Sequence, residues 1–328
     1  MVSRTRFAAL SAALVFVVGA CGGGGTSPSP SAPPAASPTE APSPSASESA
    51  APSAAPSATP VATVPDAQLI TAGHLTACID IPYPPQEFFD DSGNPTGSDV
   101  DLGAEIANRL GLAFTVNNTV FDTIIAALQG GKCDIIISAQ NITSDRVKQV
   151  DMIPYFQAGQ SFVVAKGNPK GIKATTDLCG KTVAAETGTT EVHYLEGTGD
   201  YAGQGLTQAC AKAGSPAITV KEFQKDSDAL LALQGGTVDA YFADSPVAGY
   251  YTVQHPDQFE LSPIPPLDPA LEGISVPNDD AHKDLRDGVQ KALISMINDG
   301  TYTTILSKYG VQSGAVTADV AGQLNKTK

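Results

Sequence analysis

The stretch ALQGGKCDIIIS, residues 127–138, decides the fold. It begins with the end of an apolar helical pattern, which two glycines stop, and continues into a short apolar run typical of a buried parallel strand. A second copy, ALQGGTVDAYFA, occupies residues 232–243. Each copy places a helix directly before a strand, and repeated alternation of this kind predicts parallel sheets covered by helices. The repeat therefore predicts two α/β units of similar design.

The same alternation continues outside the two copies. We expect strands at residues 75–80, 113–120, 161–167, 181–186 and 217–223, and helices at residues 99–110, 122–129, 226–234 and 282–299. These elements predict an α/β fold made of two Rossmann-like lobes with mostly parallel sheets. Ligands of open parallel sheets bind beyond the carboxyl ends of the strands, so the residues that directly follow each strand are the site candidates.

The N-terminal part has the composition of an export signal followed by a tether. Residues 1–20 carry two arginines and then a short apolar run, which predicts a signal peptide. The tetrapeptide VGAC ends at Cys21 and resembles a bacterial lipobox, whereas an ordinary signal beside a cysteine is the alternative. Residues 21–65 are rich in Gly, Ser, Pro and Ala, which predicts a disordered tether. We expect a protein on the outer face of the cytoplasmic membrane, extracellular or periplasmic, held only by lipid on Cys21.

Charge and motifs exclude several classes of function. The formal net charge of −15 argues against nucleic acid as a partner and against electrostatic attraction to anionic lipid. The sequence has no GxSxG, no Walker A loop and no pair of histidines at metal-ligand spacing. We therefore expect no cofactor, no metal ion and no enzymatic activity.

The cysteines predict disulfides in an exported protein. If Cys21 carries lipid, four remain, and order along the chain favours the pairs Cys78–Cys133 and Cys179–Cys210 among the three possible pairings. Free buried thiols are the alternative.

Two charged residues and one loop follow predicted strands. Arg146 lies beyond the first repeat and can form a bidentate contact with a carboxylate, although pairing with a structural acid would also explain it. Asp244 ends the second repeat and suits either a helix cap or a cationic ligand group. Residues 188–190, GTT, connect a strand to a helix, where backbone N–H groups bind anions. Together these groups complement a zwitterion.

Seven segments, in order, resemble the type II solute-binding proteins of ABC importers, in particular their polar-amino-acid-binding branch, family 3. They are PYPP at 82–85, GSDVDLGAEIA at 97–107, FDTIIAALQGGKCD at 121–134, ITSDR at 142–146, GKTVAAETGTT at 180–190, VDAYFADSPVA at 238–248 and DGTYTTILSKYG at 299–310. The resemblance implies two lobes that are joined by a hinge of two crossings and close on a ligand.

The resemblance also implies a role for each matching position. These positions are Arg146, Gly188, Thr189 and Thr190 for the ligand α-carboxylate; Asp244 for the α-ammonium; Ser138, Ala139 and Asn141 for the amino-acid backbone; Tyr83 and Phe121 as aromatic walls; Asp80 at the far end of the pocket; and Glu186 beside the GTT loop.

The side chain of the ligand is left open by the sequence. If Asp80, Glu186 and Glu191 point inward, the pocket favours a cationic side chain such as that of arginine, lysine or ornithine. If the two glutamates point outward, a neutral polar amino acid suits the pocket equally well. Two rival functions are a ligand-sensing receptor lipoprotein and, on the same fold, a dehydratase-like enzyme that uses pocket carboxylates as acid and base.

The resemblance further implies the organisation of the folded part and its partners. We expect the partners to be a free amino acid and a membrane permease, and we expect the protein to be a monomer. The expected ranges are 66–157 and 272–315 for lobe 1, 158–260 for lobe 2, 261–271 for the second crossing, and 316–328 for a flexible tail.

Overall fold

The computed structural model describes residues 60–327. The predicted signal peptide, Cys21 and most of the predicted tether lie outside these residues. The strands are β1 His74–Ile79, β2 Phe88–Phe89, β3 Pro95–Thr96, β4 Ala113–Asn118, β5 Ile135–Ile136, β6 Asp151–Ala165, β7 Thr182–Glu186, β8 Thr219–Phe223, β9 Ala240–Asp244, β10 Phe259–Leu261 and β11 Leu267–Val276. The helices are α1 Ser98–Leu110, α2 Ile124–Gln129, α3 Thr190–Glu196, α4 Leu206–Lys212, α5 Asp226–Gln234, α6 Ser245–Gln254, α7 Lys283–Asp299, α8 Thr301–Lys308 and α9 Ala318–Ala321.

Nine strands form one continuous mixed sheet. Its order is β4-β1-β5-β11-β6-β9-β7-β8, and β10 pairs with β6 off this path. Strand β1 is parallel to β4 and β5 at one end, and β7 is parallel to β8 and β9 at the other. The two long strands β6 and β11 lie between these parallel groups and pair antiparallel with each other. The parallel groups match the two predicted α/β units, and the antiparallel strands connect them.

The repeated sequence has the same structure in both places. Helices α2 and α5 end directly before the first glycine of each pair, and the second glycine has a positive φ of 66° at Gly131 and 67° at Gly236. The aspartate three residues later fixes the next strand beside its neighbour: Asp134 accepts hydrogen bonds from the backbone N–H groups of Ile70 and Thr76. Asp239 accepts the equivalent bond from Thr182 at 2.9 Å. The repeat is therefore a scaffold element, because its aspartates bind the chain itself.

Separate apolar cores surround the two parallel groups. The first core draws its buried residues from between Val64 and Ala158 and between Leu271 and Ala321. We call this part the first half, and the part built on β7–β10 and α3–α6 the second half. In the second half alternate residues of a strand face two different clusters, as Tyr241 and Phe242 do in β9, because successive side chains of a strand point to opposite faces.

Both predicted disulfides are present. Cys78–Cys133 lies in the first half and Cys179–Cys210 in the second, with Cα–Cα distances of 5.6 Å and 5.5 Å. The pairing by order along the chain is confirmed, and the free-thiol alternative is wrong.

The C-terminal residues are packed, so the predicted flexible tail at 316–328 is wrong for the described residues up to 327. Val316 and Ala321 are buried in the first core. The Asn325 side chain accepts a hydrogen bond from Met152 N at 2.7 Å and donates one to Asp151 at 2.9 Å. Polar composition at a chain end suggested disorder, but these contacts hold the segment against β6.

The predicted tether also extends too far toward the folded part. Val64 is buried in the first core, and Val61 N donates to Arg109 O at 2.9 Å. Residues 61–65 therefore belong to the fold, because Val64 packs into the apolar core and the backbone of Val61 is hydrogen-bonded to the end of α1.

Candidate functional site

The carboxyl ends of four parallel strands meet at one pocket between the two halves. Asp80 follows β1, the loop after β5 begins soon after it at Ser138, Glu186 ends β7 and Asp244 ends β9. Ten predicted site residues line this pocket, together with Glu87 and Glu191: Asp80, Tyr83, Phe121, Ser138, Ala139, Asn141, Glu186, Thr189, Thr190 and Asp244. The strand-end rule therefore predicted the edge of the sheet at which this pocket lies.

Arg146 is buried beside the pocket but does not line it. Its guanidinium donates to Asn141 O at 2.9 Å and to Gly188 O at 3.0 Å, and it lies 5.2 Å from the centroid of the Phe121 ring. It borders an adjoining cavity that shares Thr190 with the pocket. Burial lowers the pKa of Arg146 to about 10, so the group is still charged at neutral pH. These two bonds use two of the five N–H donors of a guanidinium.

Gly188 brings the GTT loop against the first half. Its φ is +81°, and a Cβ on this residue would lie only 3.0 Å from the Cα and Cβ of Asp122. A side chain here would push the loop away from Arg146, so glycine permits the bond between the two halves. The close approach of the Gly188 and Asp122 backbones thus places the Gly188 carbonyl where Arg146 can bind it.

Asp244 is directed toward the pocket and does not cap the helix that follows it. Although it precedes α6, its side chain accepts no capping hydrogen bond. The Tyr83 hydroxyl donates to Asp244 Oδ2 at 3.0 Å, and Oδ1 is buried without a hydrogen-bond partner among the described residues. Burial, followed by the nearby Glu191 and Glu272, raises the pKa of Asp244 well above its usual range. Of the two roles that the sequence allowed, the geometry favours contact with a ligand.

Glu191 faces the same end of the pocket. It is 3% exposed, and its Oε1 has no hydrogen-bond partner among residues 60–327. Thr190 Oγ1, which lies 3.3 Å from Glu191 Oε2, donates to Asn141 Oδ1 at 2.5 Å. Burial raises the pKa of Glu191 to about 7, and Arg146 opposes this rise. Glu191, Asp244 and Arg146 thus form one electrostatic group.

A second group of charges lies around Asp80. Its Oδ2 accepts a hydrogen bond from Phe121 N at 2.7 Å, and its Oδ1 is bound by the ammonium of Lys225. Glu186 is buried here, and burial, Asp226 and Asp80 together raise its pKa to about 10. Among residues 60–327, this end of the pocket holds three acidic side chains, Asp80, Glu186 and Asp226, beside Lys225.

The pocket wall includes a strained residue and a buried carboxyl network. Ala139 has a φ of 45°, which residues other than glycine rarely adopt, and its N–H donates to Asp99 Oδ2 at 2.9 Å. Ser138 Oγ donates to Glu87 Oε1 at 2.7 Å and accepts from Asp80 N. Burial raises the pKa of Asp99 to about 6 and that of Glu87 well above its usual range.

The family profile of bacterial extracellular solute-binding proteins, family 3, matches residues 75–312. The chain belongs to this family.

Members of this family and solved structures resemble the chain over most of its length. The arginine-binding protein ArgT of Corynebacterium glutamicum is 29% identical over 251 residues, which cover 76% of this chain and 78% of that protein. An ancestral arginine-binding protein, solved with bound arginine, is 35% identical with a TM-score of 0.62, covering 73% of this chain and 98% of the other. An ancestral amino-acid-binding protein described as a precursor of cyclohexadienyl dehydratase is 32% identical with a TM-score of 0.60, covering 72% and 95%.

The family match and these structures establish the type II periplasmic-binding-protein fold that the sequence predicted. The prediction of a solute-binding family of ABC importers is confirmed in the same way. Within the described residues, no helix is both long and apolar enough to cross a membrane.

Three residues that line the pocket or lie at its edge were not predicted from the sequence as site residues. They are Glu87, which lines the pocket, and the neighbours Lys225 and Asp226 at the start of α5. Glu87 follows the PYPP segment and could have been suspected as an acid beside a family motif. Lys225 and Asp226 resemble ordinary polar residues at a helix start, and only the folded chain brings them opposite Asp80.

Proposed function

We propose that this protein captures an amino acid with a cationic side chain outside the cytoplasmic membrane and delivers it to the permease of an ABC importer. The observation that carries the proposal is the lining of the pocket. Among the described residues, none with a basic side chain lines the pocket. Five with carboxyl side chains do: Asp80, Glu87, Glu186, Glu191 and Asp244. The sequence predicted a cationic side chain on the ligand if Glu186 and Glu191 point inward. Both of them line the pocket.

One end of the pocket suits the zwitterionic part of an amino acid. Asp244 and Glu191 each have a buried oxygen without a partner in the described chain, and these oxygens would accept hydrogen bonds from the α-ammonium. Arg146 would pair with the α-carboxylate from the adjoining cavity after a small rearrangement, with Asn141 and Thr190 beside it. A carboxylate left buried without a partner is costly, so a bound ammonium gains a large part of its affinity by satisfying these groups.

The other end suits a second positive charge. Asp80 and Glu186 lie there, and their mutual repulsion with Asp226 opposes ionisation of Glu186. A guanidinium or ammonium at this end would permit Glu186 to ionise and would form charge-assisted hydrogen bonds. The name of the ancestral protein solved with arginine supports the same ligand class.

We propose that the two halves act as hinged lobes with the ranges 66–157 and 272–315 for lobe 1 and 158–260 for lobe 2, and that the packed residues 61–65 and 316–327 move with lobe 1. Contacts that cross the pocket support this division, since Arg146 and Ser144 of the first half bind Gly188 and Asp200 of the second. Opening would break a small number of polar contacts, while β6 and β11 keep the halves connected. Lipid on Cys21, action as a monomer and the absence of chemical conversion belong to the same proposal.

A thermal-shift screen tests the ligand class. The purified protein is heated with each common amino acid, with ornithine and with citrulline, the neutral counterpart of arginine. A ligand at 100 times its dissociation constant stabilises by about 2.7 kcal/mol. We expect arginine, lysine or ornithine to raise the melting temperature most, and Asp244→Asn to lose the shift. If none of these compounds raises the melting temperature of the folded protein, the proposed function is wrong.

The rival functions have their own tests. Uptake of labelled arginine by cells with and without the gene separates import from sensing, because a receptor would leave uptake unchanged. The resemblance to the dehydratase precursor motivates one enzymatic test, which is product analysis after long incubation with the bound amino acid. We expect the amino acid to be recovered unchanged.

A further inference from the structure

We infer that Lys225 is a specificity-determining residue, whose ammonium occupies the place beside Asp80 that the distal cation of a ligand would take. This inference rests on the proposed function and adds a competitor for the ligand that is built into the chain. Because Lys225 competes with the ligand for Asp80, the pocket prefers cationic over neutral side chains less strongly than it would with its carboxylates alone.

The position of Lys225 carries the inference. It lies directly before α5 in the second half, and its side chain reaches Asp80 in the first half. Its ammonium is bound to Asp80 Oδ1 and lies 3.3 Å from Ile81 O. Asp80 itself lines the pocket and is 4% exposed, whereas the lysine side chain is 27% exposed. The lysine therefore enters from the solvent edge and binds a carboxylate that belongs to the pocket.

The surroundings explain why this contact bears on specificity. Asp80 Oδ2 accepts the N–H of Phe121 and Lys225 binds Oδ1, so each oxygen of this carboxylate already has a partner within the chain. A guanidinium from a ligand must displace the lysine ammonium or share Asp80 with it. A neutral ureido group of the same length need not displace the lysine, because Asp80 is already paired with it. The lysine therefore lowers the affinity for the neutral ligand much less than the affinity for the cationic one.

Lys225 can withdraw without leaving a buried charge behind. Its partly exposed side chain has a flexible stem of four carbons, so the ammonium can turn to water when a ligand cation arrives. Asp80 cannot do the same, because it is buried and held by Phe121 N. The exchange therefore replaces one ion pair by another, and the net gain for a cationic ligand is reduced by the lysine contact that it breaks.

Arginine and citrulline make a matched pair of probes, since they have the same length and differ in distal charge. Isothermal titration measures both dissociation constants for the wild type, for Lys225→Met and for Asp80→Asn, with the double variant completing the cycle. We expect Lys225→Met to raise the arginine-to-citrulline affinity ratio at least tenfold. In the Asp80→Asn background the same substitution should change the ratio less than twofold, because the disputed carboxylate is gone.

Lys221→Met is the control variant. Lys221 lies on the neighbouring β8, is exposed, and contacts the Phe223 ring and no acidic group in the ion pairs of the described chain. It should leave the ratio unchanged. Lys225→Gln, which keeps polarity and most of the length, serves as a second variant if the methionine disturbs folding, and circular dichroism verifies the fold of each.

The outcomes separate this inference from the proposed function. If arginine and citrulline bind the wild type and Lys225→Met leaves their ratio unchanged, Lys225 does not set specificity and the inference alone is wrong. An equal effect of Lys225→Met with and without Asp80 would also overturn it, because the competition would not act through Asp80. If neither compound, nor any other amino acid, binds any folded variant, both the proposed function and the inference fail.

Discussion

The affinity for an amino acid should depend on pH through Glu191. This carboxyl is buried, its pKa is raised to about 7 by burial, and one of its oxygens has no partner among the described residues. A ligand ammonium binds the ionised form, so binding must first remove a proton at low pH. At pH 5.5, which is 1.5 units below this pKa, the cost through Glu191 is about 2 kcal/mol, or roughly a 30-fold loss of affinity relative to the fully ionised group.

Isothermal titration of arginine between pH 5.5 and pH 8 measures this dependence directly. Near pH 7 the group is half ionised, so binding should release about half a proton through Glu191, and the measured heat should vary with the ionisation enthalpy of the buffer. Glu191→Gln should remove the part of the pH dependence that levels off near pH 7, because an amide does not titrate, while the contribution of Asp244 and Glu186, whose pKa values are also raised, should stay. The reasoning is refuted if wild-type affinity is constant over this range or if it increases toward acid.

The stability of the protein without ligand should change in the opposite direction. Because the pKa of Glu191 is higher in the folded chain than its ordinary value of 4.5, the folded state holds more protons than the unfolded state between these two values. The stabilising contribution of the protonated group is present below pH 4.5 and is lost as pH rises through about 7, on the order of 3 kcal/mol. Urea unfolding at pH 5 and pH 8 measures it, and a wild-type slope equal to that of Glu191→Gln would contradict it.

Two further predictions concern the guanidinium beside the pocket and the packed C-terminus. Arg146→Ala should reduce amino-acid affinity at least 100-fold while circular dichroism shows a folded chain. Arg146→Lys should recover only part of this loss, because an ammonium lacks the bidentate geometry of a guanidinium. If Arg146→Ala leaves the affinity unchanged, Arg146 does not belong to the site. Deletion of residues 316–328 should lower the free energy of unfolding by about 2 to 4 kcal/mol, because it exposes apolar surface around Val316 and removes the Asn325 hydrogen bonds. Urea unfolding measures this loss. If the shortened chain is as stable as the full chain, the segment does not contribute to stability and the prediction of a flexible tail is favoured.

Short-range signals in the sequence predicted the strands of the two parallel groups and the helices before them, but the predicted strand 161–167 is only the end of β6, and β10 and β11 were not predicted as strands. The glycine pairs stop α2 and α5, the apolar runs after them form β5 and β9, and the order of the cysteines gave the correct disulfides. Hydrophobic periodicity and glycine conformations are local properties, so they can be read from neighbouring residues. The chain ends were misjudged because burial of Val64 and Val316 depends on surface supplied by distant residues.

The candidate site divides along the same line. The sequence by itself determined which residues follow the strands, and therefore that Asp80, Asn141, Glu186 and Asp244 would meet at one edge of the sheet. Only the tertiary structure decided that Glu191 points inward, that Arg146 binds two backbone carbonyls beside the pocket, and that Lys225 reaches Asp80 from the other half. Direction and distance across the pocket arise from the packing of distant segments, such as those of Tyr83 and Asp244, which are 161 residues apart, and no local pattern encodes them.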